Sequence, residues 1–172
     1  MKIYLAGKVP KQDNEFCEDW RAVYKEYILN TTFDKEKIEF TNPMDKNLDE
    51  SNFEMVYGHD CSLIKNCDLV LVNAEDKTGI GTSQEILIAK YYKKYVVTVI
   101  PENTNYCRKN ITLMGRFIEK WIHPFAYTSS DLIIEDIKKL DMEYIYEQIK
   151  NNNIKDISII DEACKLYEDN KL

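Results

Sequence analysis

Two short runs constrain this chain more than anything else in it. Asp68-Leu-Val-Leu-Val-Asn73 and Tyr95-Val-Val-Thr-Val-Ile100 are apolar over consecutive residues and rich in β-branched side chains. A strand with one wet face alternates polar and apolar residues, whereas a continuous apolar run belongs to a strand covered on both faces. Between the two runs lies a segment of helical length, opened by the turn Gly79-Ile-Gly-Thr82. Strand, helix, strand at this spacing is a parallel crossover unit. Pro101 stops the second strand.

The alternation extends in both directions. Residues 2–6 (KIYLA) read as a buried strand ending at Gly7, and 37–40 (KIEF) as a short strand. A helix is expected over 13–29, where Phe16, Trp20, Val23, Tyr24, Tyr27 and Ile28 recur at helical spacing. Others are expected over 51–67, opened by Ser51 with Glu54 as a capping box, and over 83–93. After Pro101 the pattern predicts a helix near 109–120, a strand near 123–127 and a helix near 131–149. A break at Asn151-Asn152-Asn153 and a last helix over 158–169 follow. The expected fold class is therefore α/β: a doubly wound, five-stranded parallel sheet of flavodoxin or Rossmann type, with helices on both faces and a helical C-terminal tail. Residues 1–130 make up the α/β domain. Residues 131–172 supply helices that pack on it or at a dimer interface.

Composition narrows the partners. The 172 residues suffice for one core. A net charge of −7 argues against binding a nucleic-acid backbone, which needs a basic surface. No stretch approaches the roughly 20 apolar residues that span a bilayer. The opening MKIYLAG has too short an apolar run for a secretory signal. A cytoplasmic protein without a membrane partner is expected. Cysteines stand at 17, 61, 67, 107 and 164 with no C-x-x-C pair, and the only histidines are His59 and His123. Reduced thiols, no metal site and no cofactor follow as expectations.

Ligands of open parallel sheets sit at the carboxyl ends of the strands. Attention therefore falls on Gly7–Pro10, Asn73–Thr82 and Pro101–Asn110. Two carboxylates stand out. At about 100° per residue, Phe53, Val56, Tyr57, Leu63, Ile64 and Cys67 share one helix face, and Asp60 lies near its centre. It either caps a neighbouring loop or points into a ligand pocket; the residues leave both open. His59 lies off that face and reads as a surface histidine. Glu85 has a plain reading too: Thr82-Ser83-Gln84-Glu85 fits a capping box with Thr82 as N-cap. Yet its helix follows a buried parallel strand and faces the ligand edge. Gly79 and Gly81 allow close backbone approach, and the helix field would keep Glu85 ionised, as a nucleophile requires.

Taken together, these residues resemble a known family. Tyr4-Leu5-Ala6-Gly7, Asp60-x-x-x-Ile64-x-x-x-Asp68 leading into Leu-Val-Leu-Val, and Gly81-Thr82-x-x-Glu85-x-x-x-Ala89 are similar to motifs of the nucleoside 2-deoxyribosyltransferases. That family includes the 2′-deoxynucleoside 5′-monophosphate N-glycosidases, and the likeness covers roughly residues 1–127. It implies Glu85 as the nucleophile on the anomeric carbon, forming a glycosyl–enzyme intermediate. Asp60 would hold the sugar hydroxyls and assist proton transfer to the base, and Tyr4 would orient Glu85. Asn110 and Met114, in Asn110-Ile-Thr-Leu-Met114, resemble a segment lent to a neighbouring subunit, which implies a homodimer or higher homo-oligomer with shared active sites. Substrate contacts are expected from Gly7, Lys8, Gly79, Gly81, Thr82 and Ser83.

The implied reaction is cleavage of a (2′-deoxy)nucleoside N-glycosidic bond with transfer of the sugar to another nucleobase. Two alternatives stand beside it. Gly7, Lys8, Lys11 and Ser83 are the candidates to hold a 5′-phosphate. Where transferases carry a base-reading acid upstream of the nucleophile, this chain has Gly79, with Glu75 and Asp76 nearby. Those features suit a hydrolase of nucleoside monophosphates. A non-catalytic nucleotide sensor is the third reading.

Overall fold

The computed structural model describes residues 1–9, 19–32, 35–44, 47–75 and 78–171. Its strands are β1 (Lys2–Ala6), β2 (Glu39–Thr41), β3 (Leu69–Asn73), β4 (Tyr95–Val99), β5 (Cys107–Leu113), β6 (Arg116–Ile122) and β7 (Leu132–Ile134). Its helices are α1 (Trp20–Thr31), α2 (Phe53–Lys65), α3 (Ile80–Tyr91), α4 (Pro124–Ser129), α5 (Met142–Lys150) and α6 (Ile159–Asp169). Five strands make one parallel sheet in the order β2-β1-β3-β4-β7.

The two apolar runs behave as their composition requires: every residue of β3 and β4 is buried. Ile3, Leu5, Leu69, Leu71, Val97 and Val99 pack with Tyr24 and Ile28 of α1 and Ile145 of α5. Tyr4, Ala6, Val70, Val72 and Val96 point the other way, onto Ile64 of α2 and Ile86 and Ala89 of α3. Each fully buried aliphatic side chain contributes roughly 1.5–3 kcal/mol. Helices thus cover both faces, and the fold is doubly wound. From β1 the chain moves outward to β2, then returns to place β3 on the opposite flank. The winding reverses between β1 and β3, and the carboxyl ends of these strands are where sheets of this kind bind ligands.

Several expected elements differ. No helix occupies 109–120. Strands β5 and β6 form a separate antiparallel hairpin. Its two-residue turn has φ of 49° at Met114 and 78° at Gly115, the doubly positive form whose twist suits a tight hairpin. Most of the hairpin is exposed, so no buried face imposes an alternating pattern on its sequence. Residues 123–127 lie mainly in α4, which starts with proline at its first position. The segment 131–149 is not one helix. It forms β7, a single 3₁₀ turn over Ile137–Lys139 and α5, which Asp141 caps by accepting from the Tyr144 N–H at 3.0 Å.

Asp131 explains the detour. Its carboxylate accepts from the Val96 N–H (2.6 Å) and the Lys155 N–H (2.7 Å), and it pairs with the fully buried Lys90 of α3. These bonds hold the segment before β7 against the edge of β4. Helix α2 is capped by Asn52, not Ser51, through the Met55 N–H at 3.2 Å. Helix α1 begins at Trp20 with Asp19 as cap. The earlier part of the expected 13–29 helix, with Phe16 and Cys17, lies outside the described residues, as do Lys11 and Asp76. Cys61, Cys67, Cys107 and Cys164 are free thiols. Among the described residues no helix is long and apolar enough to cross a membrane.

Candidate active site

The period-two pleat of β1 turns Tyr4 onto the α2/α3 face, where it is fully buried. A buried phenol needs a partner for its hydroxyl. It has one: the Tyr4 O–H donates to Glu85 Oε1 in a short hydrogen bond. Glu85 is itself 7% exposed. It does not cap its helix. Gly79 is the N-cap residue of α3, without a side-chain bond, so Thr82 sits inside the first turn and Glu85 in the second. The capping-box expectation for Thr82 and Glu85 therefore fails, because the helix begins earlier than Thr82. The capping box would have given Glu85 a local role; the structure points it at Tyr4 instead.

The electrostatics also depart from expectation. Burial pushes Glu85 up to about 7; the Tyr4 hydrogen bond opposes this, the Asp60 charge adds to it, and Arg21 lowers it. Burial, the largest of these influences, works against ionisation of the side chain. Burial, and then the charge and hydrogen bond of Glu85, hold the Tyr4 hydroxyl far above the usual phenol range. Asp60 is raised as well, chiefly by burial, against a lowering bond from His59. His59 Nδ1 lies 3.0 Å from Asp60 Oδ1, and both side chains are about a quarter exposed or less. His59 is therefore a partner of Asp60 and not a bare surface histidine. The charge of Asp60 acts on both Tyr4 and Glu85. The stripe that singled it out is only partly buried, since Phe53 and Tyr57 are exposed while Ile64 and Cys67 are buried.

The backbone after β1 is held tightly. Gly7 has φ of 156°, and a Cβ there would come within 2.7 Å of the Trp20 ring and 3.3 Å of Asn73. Only glycine fits so close an approach. Arg21 donates to the carbonyls of Gly7 and Lys8, each at 3.1 Å, and Trp20 Nε1 donates to Lys8 O at 3.2 Å. Lys8 itself is exposed. At the end of β3, Asn73 donates to the Tyr24 hydroxyl (3.1 Å), which donates to Glu75 (2.9 Å). The Tyr106 hydroxyl accepts from the Thr78 N–H at 2.8 Å and ties the loop before α3 to the base of the hairpin.

Gly79 and Gly81 face open space where a Cβ would stand. Thr82 is buried, and Ser83 is exposed, its hydroxyl donating to the Gly79 carbonyl at 3.4 Å. The structure thus gathers Tyr4, Asp60 and Glu85 with Gly7 nearby. Asn110 and Met114 lie elsewhere, exposed on the hairpin with φ of 51° and 49°. The sequence did not single out Arg21, took Tyr24 only as part of a helical stripe, and marked Asn73 only as the start of a ligand-edge segment. A buried-strand run ending in Asn73 was the one available signal: a polar residue closing an apolar run at the ligand edge.

Two carboxyl groups whose surroundings differ can divide acid, base and nucleophilic roles. Glu85, held by the Tyr4 hydrogen bond, can attack as a nucleophile when ionised; Asp60, more open, can carry a proton.

No protein-family model matches the chain, and no curated protein matches it by sequence. Solved structures do match in shape. A conserved protein from Enterococcus faecalis V583 aligns with a TM-score of 0.57 at 16% identity, covering 87% of this chain and 97% of that one. A 2-deoxyribosyltransferase from Bacillus psychrosaccharolyticus aligns with a TM-score of 0.50 at 19% identity, covering 84% and 96%. The fold is shared with these proteins.

Proposed function

We propose that this protein is an enzyme that cleaves the N-glycosidic bond of a 2′-deoxynucleoside and passes the sugar to a second nucleobase. The observation that carries the reading is the buried Tyr4–Glu85 hydrogen bond beside Asp60, at the point where the winding reverses. The fold shared with a protein named as a 2-deoxyribosyltransferase supports it.

The steps follow from the groups present. Ionised Glu85 attacks C1′ as the C1′–N bond breaks. The bonding pair goes to the base nitrogen, which takes a proton from Asp60; the reactive form is the one in which the proton of the carboxyl pair sits on Asp60 and Glu85 is ionised. Burial raises Asp60's affinity for that proton. Positive charge grows on the sugar in the transition state, and a carboxylate in a water-poor site stabilises it. The Tyr4 hydroxyl keeps the attacking carboxylate aligned. The nitrogen of a second base then attacks C1′, Asp60 recovers the proton, and Glu85 leaves.

A specific feature favours a second reading. A polar cleft of about 530 Å³ lies beyond β3 and β4, lined by Glu75, Asn103, Thr104, Asn105, Arg108 and Lys109. Arg108 and Lys109, the latter paired with Glu102 at 2.6 Å, supply the cations that suit a 5′-phosphate, and water would then replace the acceptor base. We also place the hairpin, with Asn110 and Met114, against a second copy of the chain. The exposure of Leu113, Met114, Phe117, Phe125 and Tyr127 supports this.

The test is chromatographic detection of free base. Wild type and Glu85→Gln are incubated with nucleosides and nucleoside monophosphates, with and without a second base. Base exchange by wild type alone is expected. Release from monophosphates without an acceptor selects the hydrolase. Activity of Glu85→Gln equal to wild type, or ligand binding without any turnover, overturns the enzymatic assignment of Glu85.

A further inference from the structure

Adjacent residues on a helix point about 100° apart, and their side chains do not ordinarily meet. His59 and Asp60 of α2 do meet: His59 Nδ1 lies 3.0 Å from Asp60 Oδ1. The two side chains are 21% and 25% exposed, so the contact is shielded on most sides. Among the described residues the other carboxyl oxygen, Asp60 Oδ2, has no hydrogen-bond partner. Asp60 lies one turn before Ile64 and shares its helix face. Ile64 is fully buried, and it packs in one cluster with Tyr4 and with Ile86, the neighbour of Glu85 in α3. The pair therefore stands on the sheet face that carries Tyr4 and Glu85, with one oxygen of its carboxyl tethered and the other unengaged.

We propose that His59 is a positioning residue for Asp60: its Nδ1–H fixes Oδ1, leaves Oδ2 to pass the proton, and stabilises the carboxylate that remains when the proton has gone to the base. The inference rests on Asp60 being the proton donor of the preceding reading. As the C1′–N bond breaks, the proton moves from Asp60 Oδ2 to the base nitrogen and Asp60 becomes negative; His59 keeps its own proton. A hydrogen bond to a carboxylate is roughly twice as strong as one to a neutral carbonyl. The contact thus strengthens as charge develops, and it speeds the step without tightening substrate binding. The groups acting on Asp60 are His59 beside it, Glu50 ahead of α2, and Tyr4 of β1 and Glu85 of α3 across the cluster. Glu50 opposes ionisation of Asp60, and His59 assists it.

Kinetics and NMR of His59 variants test this. His59→Leu should lower kcat about ten-fold with KM changed less than about two-fold. It should also move the alkaline limb of kcat/KM upward, because Asp60 then holds its proton more tightly. His59→Asn, whose amide N–H can replace Nδ1–H, should restore most of kcat. An effect confined to KM, an unmoved alkaline limb, or a His59→Asn variant no better than His59→Leu overturns the proposal. Imidazole ¹⁵N NMR reads the contact without turnover. The chain has only two histidines, and the His59 signals are assigned by their loss in His59→Asn. Neutral His59 should carry its proton on Nδ1, and Asp60→Ala should return it to Nε2. A proton on Nε2 in wild type, or one that stays on Nδ1 in Asp60→Ala, also overturns the proposal. If His59→Leu does not fold, this spectrum decides. Absence of base release from wild type defeats the functional reading, while the spectrum still decides whether His59 holds Asp60.

Discussion

Replacing Glu85 by Gln should stabilise the fold above neutral pH and leave it unchanged in acid. Burial pushes this carboxyl from its ordinary value of 4.5 up to about 7, against the lowering effect of the Tyr4 hydrogen bond. The folded state thus holds the proton more tightly than the unfolded chain does. The carboxyl's contribution to stability is full below pH 4.5 and is lost as the pH rises through about 7. At about 1.4 kcal/mol per pH unit, the interval from 4.5 to 7 is on the order of 3 kcal/mol. Gln has nearly the same shape, keeps an oxygen to accept from Tyr4, and carries no charge to desolvate. By circular dichroism at pH 8, Glu85→Gln should melt above wild type by roughly 6–12 °C. At pH 4.5 the two should coincide. A variant that melts at or below wild type at pH 8, or by the same offset at both pH values, would refute the reasoning.

Other perturbations have equally definite outcomes. Tyr4→Phe removes a charge-assisted hydrogen bond worth about 1.5–3 kcal/mol, so the acid limb of the base-release profile should move above pH 7. Activity at pH 7 should fall roughly ten-fold or more and recover at higher pH; an unshifted limb in the pH–rate profile contradicts this. Asp131→Ala strands the buried Lys90 ammonium and should cost about 3–5 kcal/mol in urea denaturation, whereas wild-type stability would mean that the pair contributes little. Phe117→Asp on the exposed hairpin should convert a dimer to a monomer in light scattering, and an unchanged mass would remove the hairpin from the interface.

The parts of the fold legible in the sequence were those with two covered faces. Leu69–Asn73 and Tyr95–Val99 declared themselves because they are continuous runs of apolar and β-branched residues without a charge. The hairpin was hidden for the opposite reason: with both faces largely exposed, residues 107–122 carry no periodic signature, and the Met114-Gly115 turn was the only local cue. Strand β7 is three residues long and held by Asp131, whose partners Lys90, Val96 and Lys155 are scattered along the chain. In the site, Tyr4 and Glu85 were found through motif resemblance, but their environment was not. A T-x-x-E pattern suggests a cap whether or not the helix begins there. Arg21 was missed because its partners are backbone carbonyls of Gly7 and Lys8, which leave no mark on composition.

The central claim is that Glu85 becomes covalently attached to the sugar. Peptide mapping by mass spectrometry, after quenching the protein with a 2′-deoxy-2′-fluoro nucleoside that slows breakdown of the intermediate, tests it most directly. The account predicts a fluorosugar adduct on the peptide containing Glu85 and none in Glu85→Gln. Base release accompanied by an unmodified Glu85 peptide, or by an adduct on another residue, would contradict it.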